Sequence, residues 1–219
     1  MAADFVKRCV QKGQYPTRRQ KIKTMYNILL SGVGGQGTVL ASKLIAAAAL
    51  AKGLTVHTAE TIGMAQRGGC VVSHVRIGEN VYSPLIPKGT ADVIIAFEPA
   101  EAVRVASYLK KGGVIITSSS AVKPVTDMFA KVPYNADEML EYLKTKGIKT
   151  YVVDADEIVR TLGNAKSLNV ALLGAATVNC DIGITKEDIA NAVVNTAKAV
   201  FREQNLKALD MGADISKEL

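Results

Sequence analysis

The chain has 219 residues, 48% of them hydrophobic and 21% charged, which suits one domain with a sizeable core. No apolar run approaches the ~18–20 residues of a spanning helix. The longest candidate, residues 44–51, is mostly alanine, so an integral membrane protein is not expected. The start of the chain carries charges without an apolar secretory core, and Cys9, Cys70 and Cys180 are too few and too scattered for a disulfide framework or, by themselves, a zinc or iron–sulfur site. A reducing, cytoplasmic setting is expected.

The formal net charge of +7 is concentrated at one end. Residues 1–26 carry seven basic side chains against Asp4 alone, and the rest of the chain carries only +1. Residues 1–25 therefore read as a basic extension, solvated or docked on another subunit, ahead of a near-neutral domain over 26–219. Neither nucleic acid nor a membrane is expected as a partner.

From Met25 onward short β-rich runs alternate with longer helical ones, which predicts an α/β fold. A buried strand over 25–31 leads into Gly32-Val33-Gly34-Gly35-Gln36-Gly37 and then a small-residue helix over 38–52, closed by Gly53. A second strand spans 54–59, followed by a loop over 60–69. A third strand, 70–77, turns through Gly78-Glu79-Asn80 into residues 81–83. The ten residues before Cys70 are too few for a parallel crossover, so this third piece is expected to be antiparallel or a hairpin and the sheet mixed. A buried strand over 91–97 precedes Pro99, which opens a helix expected to reach Lys111, with Gly112-Gly113 ending it before a strand over 114–117. Residues 118–133 read as irregular. A helix over 136–146, a strand over 148–153 and a short helix over 154–162 follow. After Gly163 the pattern is helical, over 167–180 and 185–205, with Thr185 and Asp188 spaced as a capping box. The fold class is Rossmann-like, three-layer α/β/α, with a mostly parallel, mixed sheet and a helical segment from about residue 164.

The first glycine string satisfies G-x-G-x-x-G between strand and helix. That arrangement offers backbone N–H groups and a helix N-terminus to an anion. Glu60 lies 23 residues beyond Gly37, the spacing of a ribose-binding acid in a dinucleotide site. No Walker lysine follows. The second string, Gly63-Met64-Ala65-Gln66-Arg67-Gly68-Gly69, sets an amide and a guanidinium among glycines, and Arg67 could grip a phosphate, a carboxylate or a partner subunit. Residues 34–37, Glu98 and 117–120 should share the carboxyl edge of the sheet, where α/β proteins bind ligands. His74 and Arg76 read as the wet face of a strand, His57 as structural, and Cys70 as a thiol with only Arg67 near it in sequence.

These two strings, followed in order by Ser73-His74-Val75-Arg76-Ile77-Gly78, Ser83-Pro84-Leu85-Ile86-Pro87 and Ala91-Asp92-Val93-Ile94-Ile95-Ala96-Phe97-Glu98-Pro99, resemble the gamma-type domain of the 2-oxoacid:ferredoxin oxidoreductases. The Met-Ala-Gln-Arg-Gly-Gly form is similar to the beta subunits of the indolepyruvate branch. The resemblance implies thiamine diphosphate-dependent oxidative decarboxylation of an aryl pyruvate, coenzyme A taking the acyl group and electrons leaving through iron–sulfur clusters to ferredoxin. No Gly-Asp-Gly stretch for thiamine and magnesium and no four-cysteine run is present. The resemblance therefore implies a large alpha subunit that carries thiamine diphosphate, magnesium and the clusters, and a chain that is inactive alone. It assigns Gly34, Gly35, Gln36, Gly37, Gln66 and Arg67 to cofactor binding, no residue to catalysis and none to a metal, and it turns Glu60 into a loop-ordering acid. The glycine loop and Glu60 alone still fit a free-standing NAD(P) oxidoreductase, and the basic extension fits a nucleotide- or coenzyme A-binding regulatory module.

Overall fold

Ile28-Leu29-Leu30 is apolar without alternation, the pattern of a strand covered on both faces. In the computed structural model, which describes residues 25–62, 69–79, 81–121 and 134–219, all three are fully buried in β1 (Met25–Val33). Around it stand β2 (Val56–Ile62), β3 (Cys70–Gly78), β4 (Ala91–Ala96), β5 (Leu109–Ser118), β6 (Lys149–Val153) and β7 (Lys217–Glu218). Among the described residues the order is β2-β3-β1-β4-β5-β6-β7. Strands β1, β4, β5 and β6 run parallel, β3 is antiparallel to both β1 and β2, and β7 is antiparallel to β6. The sheet is thus mixed with a parallel centre.

The helices are α1 (Thr38–Ala51), α2 (Pro99–Val105), α3 (Ala136–Thr145), α4 (Ala155–Leu162), α5 (Leu168–Asn179), α6 (Lys186–Thr196) and α7 (Ala199–Ile215). Alternate residues of the strands feed two cores. Ile28, Leu30, Val75, Val93, Ile95 and Ile116 pack under α1 and α4–α7, while Leu29, Ile94 and Ile115 pack under α2 and α3 through Ala102, Val105 and Leu143. This gives the three layers. Asn169 through Ala176 are buried without a break, so α5 is an interior helix apolar nearly all round. It lies directly on α7: a Cβ at Gly174 would overlap the Leu209 carbonyl, and one at Gly212 the Ala171 carbonyl.

Five expectations need correction. Residues 81–83 form no strand, because both sides of β3 are already taken by β1 and β2. The helix from Pro99 stops at Val105, a 3-10 turn follows over Ala106–Tyr108, and β5 begins at Leu109. Gly112-Gly113 is a bulge inside that strand rather than a helix stop: pairing jumps from Ala91/Leu109 to Val93/Val114, with Gly112 at φ 75°. The helix expected over 185–205 is two helices, parted where Ala197 and Lys198 take extended ψ of 144° and 141°. Finally, a strand does follow Gly163, the two-residue β7, too short to show a period. The capping box is present as expected, Thr185 Oγ1 accepting from the Asp188 N–H and Asp188 from the Thr185 N–H. The basic stretch over 1–24 and most of the irregular stretch over 118–133 lie outside the described residues. No helix of the described residues is long and apolar enough to cross a membrane.

Candidate functional site

Because β1, β4, β5 and β6 are parallel, their carboxyl ends share one edge, and residues 34–37, Glu98 and 117–120 meet there as expected. Strand β2 ends and β3 begins on the same edge, tied to the glycine loop by the Gly34 N–H donating to the Gly69 carbonyl (3.0 Å). Gln66 and Arg67 lie outside the described residues, although Ile62 and Gly69 on either side of them belong to this edge.

The glycine loop is held from within. Gln36 Oε1 accepts the Val33 N–H at 2.6 Å, and its Nε2 faces the Phe97 carbonyl at 3.5 Å. Gly32 is required by this strut, since a Cβ there would sit 2.9 Å from Gln36 Oε1 and 3.0 Å from Phe97 Cβ. Gly35 and Gly37 take left-handed φ of 101° and 88°, a conformation a Cβ disfavours. Among the described residues no side chain caps the N-terminus of α1, and no acid stands in its first turn, so the positive end of the helix dipole meets no carboxylate from its own turn. Gln36 thus shapes the loop from within.

Beside the loop lies a buried acid network. Glu101, 1% exposed, accepts from Ser31 Oγ (2.9 Å) and Cys70 Sγ (2.8 Å) on one oxygen and pairs with Arg104 Nε (3.0 Å) on the other. Glu98, 3% exposed, accepts from the Tyr134 hydroxyl (3.0 Å), which itself accepts the Ala100 N–H (3.2 Å). Burial, then the bond to Glu101, push the Cys70 thiol up to about 11; burial and the Glu98 charge raise the Tyr134 phenol. Cys70 thus donates to the Glu101 carboxylate and holds its proton more tightly than a free thiol. The serines at the carboxyl end of β5 tie it to its neighbours: Ser118 Oγ donates to the Phe97 carbonyl just past β4 (2.8 Å) and Ser119 Oγ accepts the Ala155 N–H at the start of α4 (3.0 Å).

Sequence reasoning placed Glu98 on the rim but missed Glu101 and Tyr134. Glu101 stands three residues after the N-cap of α2, where an acid ordinarily serves the helix end, and no local signal turns it toward Ser31 and Cys70. The wet-face reading of His74 and Arg76 is corrected. His74 is 5% exposed, its Nδ1 accepts the Ile86 N–H (3.1 Å), and burial lowers its pKa. Arg76 donates to Asn27 Oδ1 (2.9 Å) and to the Ser83 carbonyl (2.7 Å), holding the 81–90 segment to the sheet. His57 is half-buried on β2, opposite Arg76. Glu60 is on that strand rather than in a loop, accepting from Ser42 Oγ of α1 (3.3 Å). With β3 inserted between β1 and β2, Glu60 stands two strand spacings, roughly 10 Å, from β1, unlike the adjacent strand of a dinucleotide fold. Among the described residues no group of three or more His, Cys, Asp or Glu could hold a metal ion.

The sequence pattern of the family described as "Pyruvate ferredoxin/flavodoxin oxidoreductase" matches residues 27–215. The indolepyruvate oxidoreductase subunit IorB of Thermococcus kodakarensis is 37% identical over 89% of this chain and 97% of its own length. The subunit of the same name from Archaeoglobus fulgidus is 44% identical over 85% of this chain and 92% of its own. Among solved structures, the pyruvate oxidoreductase subunit PORC from Thermotoga maritima shares the fold with a TM-score of 0.67 at 23% identity, covering 89% of this chain and 98% of that one.

Proposed function

Because the chain belongs to the pyruvate ferredoxin/flavodoxin oxidoreductase family, we propose that it is the beta subunit of an indolepyruvate-type 2-oxoacid:ferredoxin oxidoreductase. It completes, without itself carrying the redox centres, a site that decarboxylates aryl pyruvates to acyl-coenzyme A and passes electrons to ferredoxin. The Met-Ala-Gln-Arg-Gly-Gly string and the 44% identity to an IorB subunit support the indolepyruvate branch.

Thiamine diphosphate with magnesium supplies carbanion stabilisation when bound, and iron–sulfur clusters carry single electrons. The described residues do not fit either group. The buried carboxylates are committed, Glu101 to Ser31, Cys70 and Arg104 and Glu98 to Tyr134, so they are not an open oxygen set for magnesium. Cys70 and Cys180 stand apart, on β3 and at the end of α5, and are not a cluster-ligand set. Both groups are therefore assigned to a large alpha subunit, in a cytoplasmic complex without nucleic acid or membrane.

This chain's own part is to bind and to orient. Backbone amides of the glycine loop and of the first turn of α1, with Gln66 and Arg67, present donors to the anionic groups of coenzyme A, thiamine diphosphate or the keto acid; the Gly34 and Gln36 N–H groups are already given to the Gly69 and Val33 carbonyls. The observation that carries the reading is that uncapped helix end on the carboxyl edge, beside a loop whose ends meet it through Gly34 and Gly69. Arg67→Ala in the reconstituted complex tests it. A rise of about tenfold or more in the KM of the keto acid or of coenzyme A is expected, the worth of one charge-assisted bond; unchanged KM for both with unchanged turnover removes Arg67 from the site.

A further inference from the structure

The two edges of the sheet are unlike. At one, β7 consists of Lys217 and Glu218, both exposed, a short and charged end of the kind that discourages further pairing. At the other, β2 runs for seven residues, Val56–Ile62, in an unbroken register with β3, and no strand stands beyond it among the described residues. It carries no lysine, no proline and no bulge, so none of the usual devices guards its outer side.

One bond tells which backbone groups face outward. The Gly78 N–H donates to the Thr55 carbonyl (2.9 Å), so Thr55 turns its backbone toward β3. Alternate residues of an antiparallel ladder turn the same way, which aims His57, Ala59 and Thr61 at β3 and Val56, Thr58, Glu60 and Ile62 outward. Those four leave N–H and C=O groups in a row, the template on which a further strand adds. Their side chains lie on the face of α1, where Glu60 accepts from Ser42 Oγ (3.3 Å).

We infer that the strand added here is the β2 of a second copy of this chain, antiparallel to the first about a two-fold axis at Ala59. That register uses the whole strand. Val56 stands opposite Ile62 of the other copy and Thr58 opposite Glu60, so outward residue meets outward residue and each free N–H meets a free carbonyl. Ala59 stands opposite itself at a position without hydrogen bonds, where side chains come closest, and there the side chain is a methyl. The pairs also match in kind: β-branched apolar side chains at both ends, a hydroxyl to donate to each Glu60, and no like charges directly opposed. A two-fold contact has to be self-complementary in this way. The helix beside the edge agrees. Next round α1 from Ser42 come Val39, Lys43, Ala46 and Leu50, with Leu50 61% exposed. Lys43 is the only charged residue of α1 and Glu60 the only acid of β2, so the two copies turn toward each other faces that carry both signs. The interface is made of this chain's own residues and does not depend on the decarboxylation reading.

Sedimentation of the full chain, alone and in its complex, together with residue-resolved amide exchange, tests the interface. The chain alone is expected to sediment as two copies that part on dilution. In the dimer the outward amides of Val56, Thr58, Glu60 and Ile62 exchange as slowly as the inward ones of His57, Ala59 and Thr61; on dilution only the outward set becomes fast, and in the complex the protection persists. Two substitutions at exposed Thr58 fix the register. Thr58→Glu sets carboxylates opposite each other at two symmetric places and is expected to weaken dimerisation roughly tenfold or more. Thr58→Lys sets an ammonium opposite each Glu60 and leaves dimerisation equal or tighter. A single chain at every concentration, a dimer whose outward amides exchange freely, or an equal loss in both variants overturns the inference. So does protection of those amides in the isolated single chain, which means that a segment of its own covers β2. Protection that appears only with the large subunit overturns it too, since a strand of that subunit is then the occupant.

Discussion

Titrating Cys70 with an alkylating reagent reads the buried acid network directly. Burial, followed by the hydrogen bond and charge of Glu101, raises its thiol from 9.0 to about 11. At neutral pH that leaves about a hundredfold less thiolate than an unperturbed cysteine carries, and thiolate is the reacting form. Half-burial also slows access, but access scales the rate at every pH alike and does not move the midpoint. Iodoacetamide labelling followed by peptide-resolved mass spectrometry separates Cys70 from Cys9 and Cys180. The Cys70 rate is expected to climb about tenfold per pH unit up to about pH 10 without levelling. In Glu101→Gln the carboxylate's share of the shift disappears while the burial share stays, so the midpoint drops part of the way toward 9.0. The sign for stability follows: the folded thiol holds its proton more tightly than the unfolded one, so this contribution is complete below pH 9 and is lost as pH rises toward 11. A rate that levels off at or below pH 9 in the wild type, or a midpoint unchanged in Glu101→Gln, refutes the network.

Two further predictions concern the C-terminal helices. Gly174→Ala pushes a methyl into the Leu209 carbonyl, where backbone on both sides prevents easy relief. A loss of ~1–3 kcal/mol or more is expected, read as a Tm lower by ~2–4 °C for each kcal/mol in a domain of this size, and a Tm within error of wild type contradicts the close crossing. Thr185→Ala removes the cap of α6 and is expected to cost ~1 kcal/mol in denaturant unfolding. Burial alone would raise the partner carboxyl, Asp188, but the bonds from Thr185 and Lys52 outweigh it and hold it below its usual range. Its contribution is therefore present above the unfolded carboxyl value and fades as pH falls through the folded one. A Thr185→Ala effect as large at pH 3 as at pH 7 argues against the reciprocal pair.

Much of the fold could be read along the chain where the signal is local. The strand, glycine loop and helix over 25–51 are consecutive and each names the next, and ten residues before Cys70 were enough to make β3 antiparallel. The failures are tertiary. Nothing in Ala197-Lys198-Ala199 forbids a helix, yet the chain breaks there and α7 packs onto α5 through Gly174 and Gly212. Gly112-Gly113 reads equally as a helix stop and as a bulge until its register against β4 is known. In the site, Gly34–Gly37 and Glu98 could be placed by strand direction alone. Tyr134 meets Glu98 from 36 residues away, and Asn169 meets Gly37 from the far end of the chain. Such partners carry no spacing that a single sequence displays, and Gln36 became a strut only once Val33 and Phe97 were in place around it.

The measurement closest to the heart of the functional reading compares the isolated chain with the same chain assembled on its large subunit, each supplied anaerobically with indolepyruvate, coenzyme A and oxidised ferredoxin. Reduced ferredoxin is expected from the assembly and none from the isolated chain. Turnover of any 2-oxoacid, or reduction of a nicotinamide, by the isolated chain would contradict it.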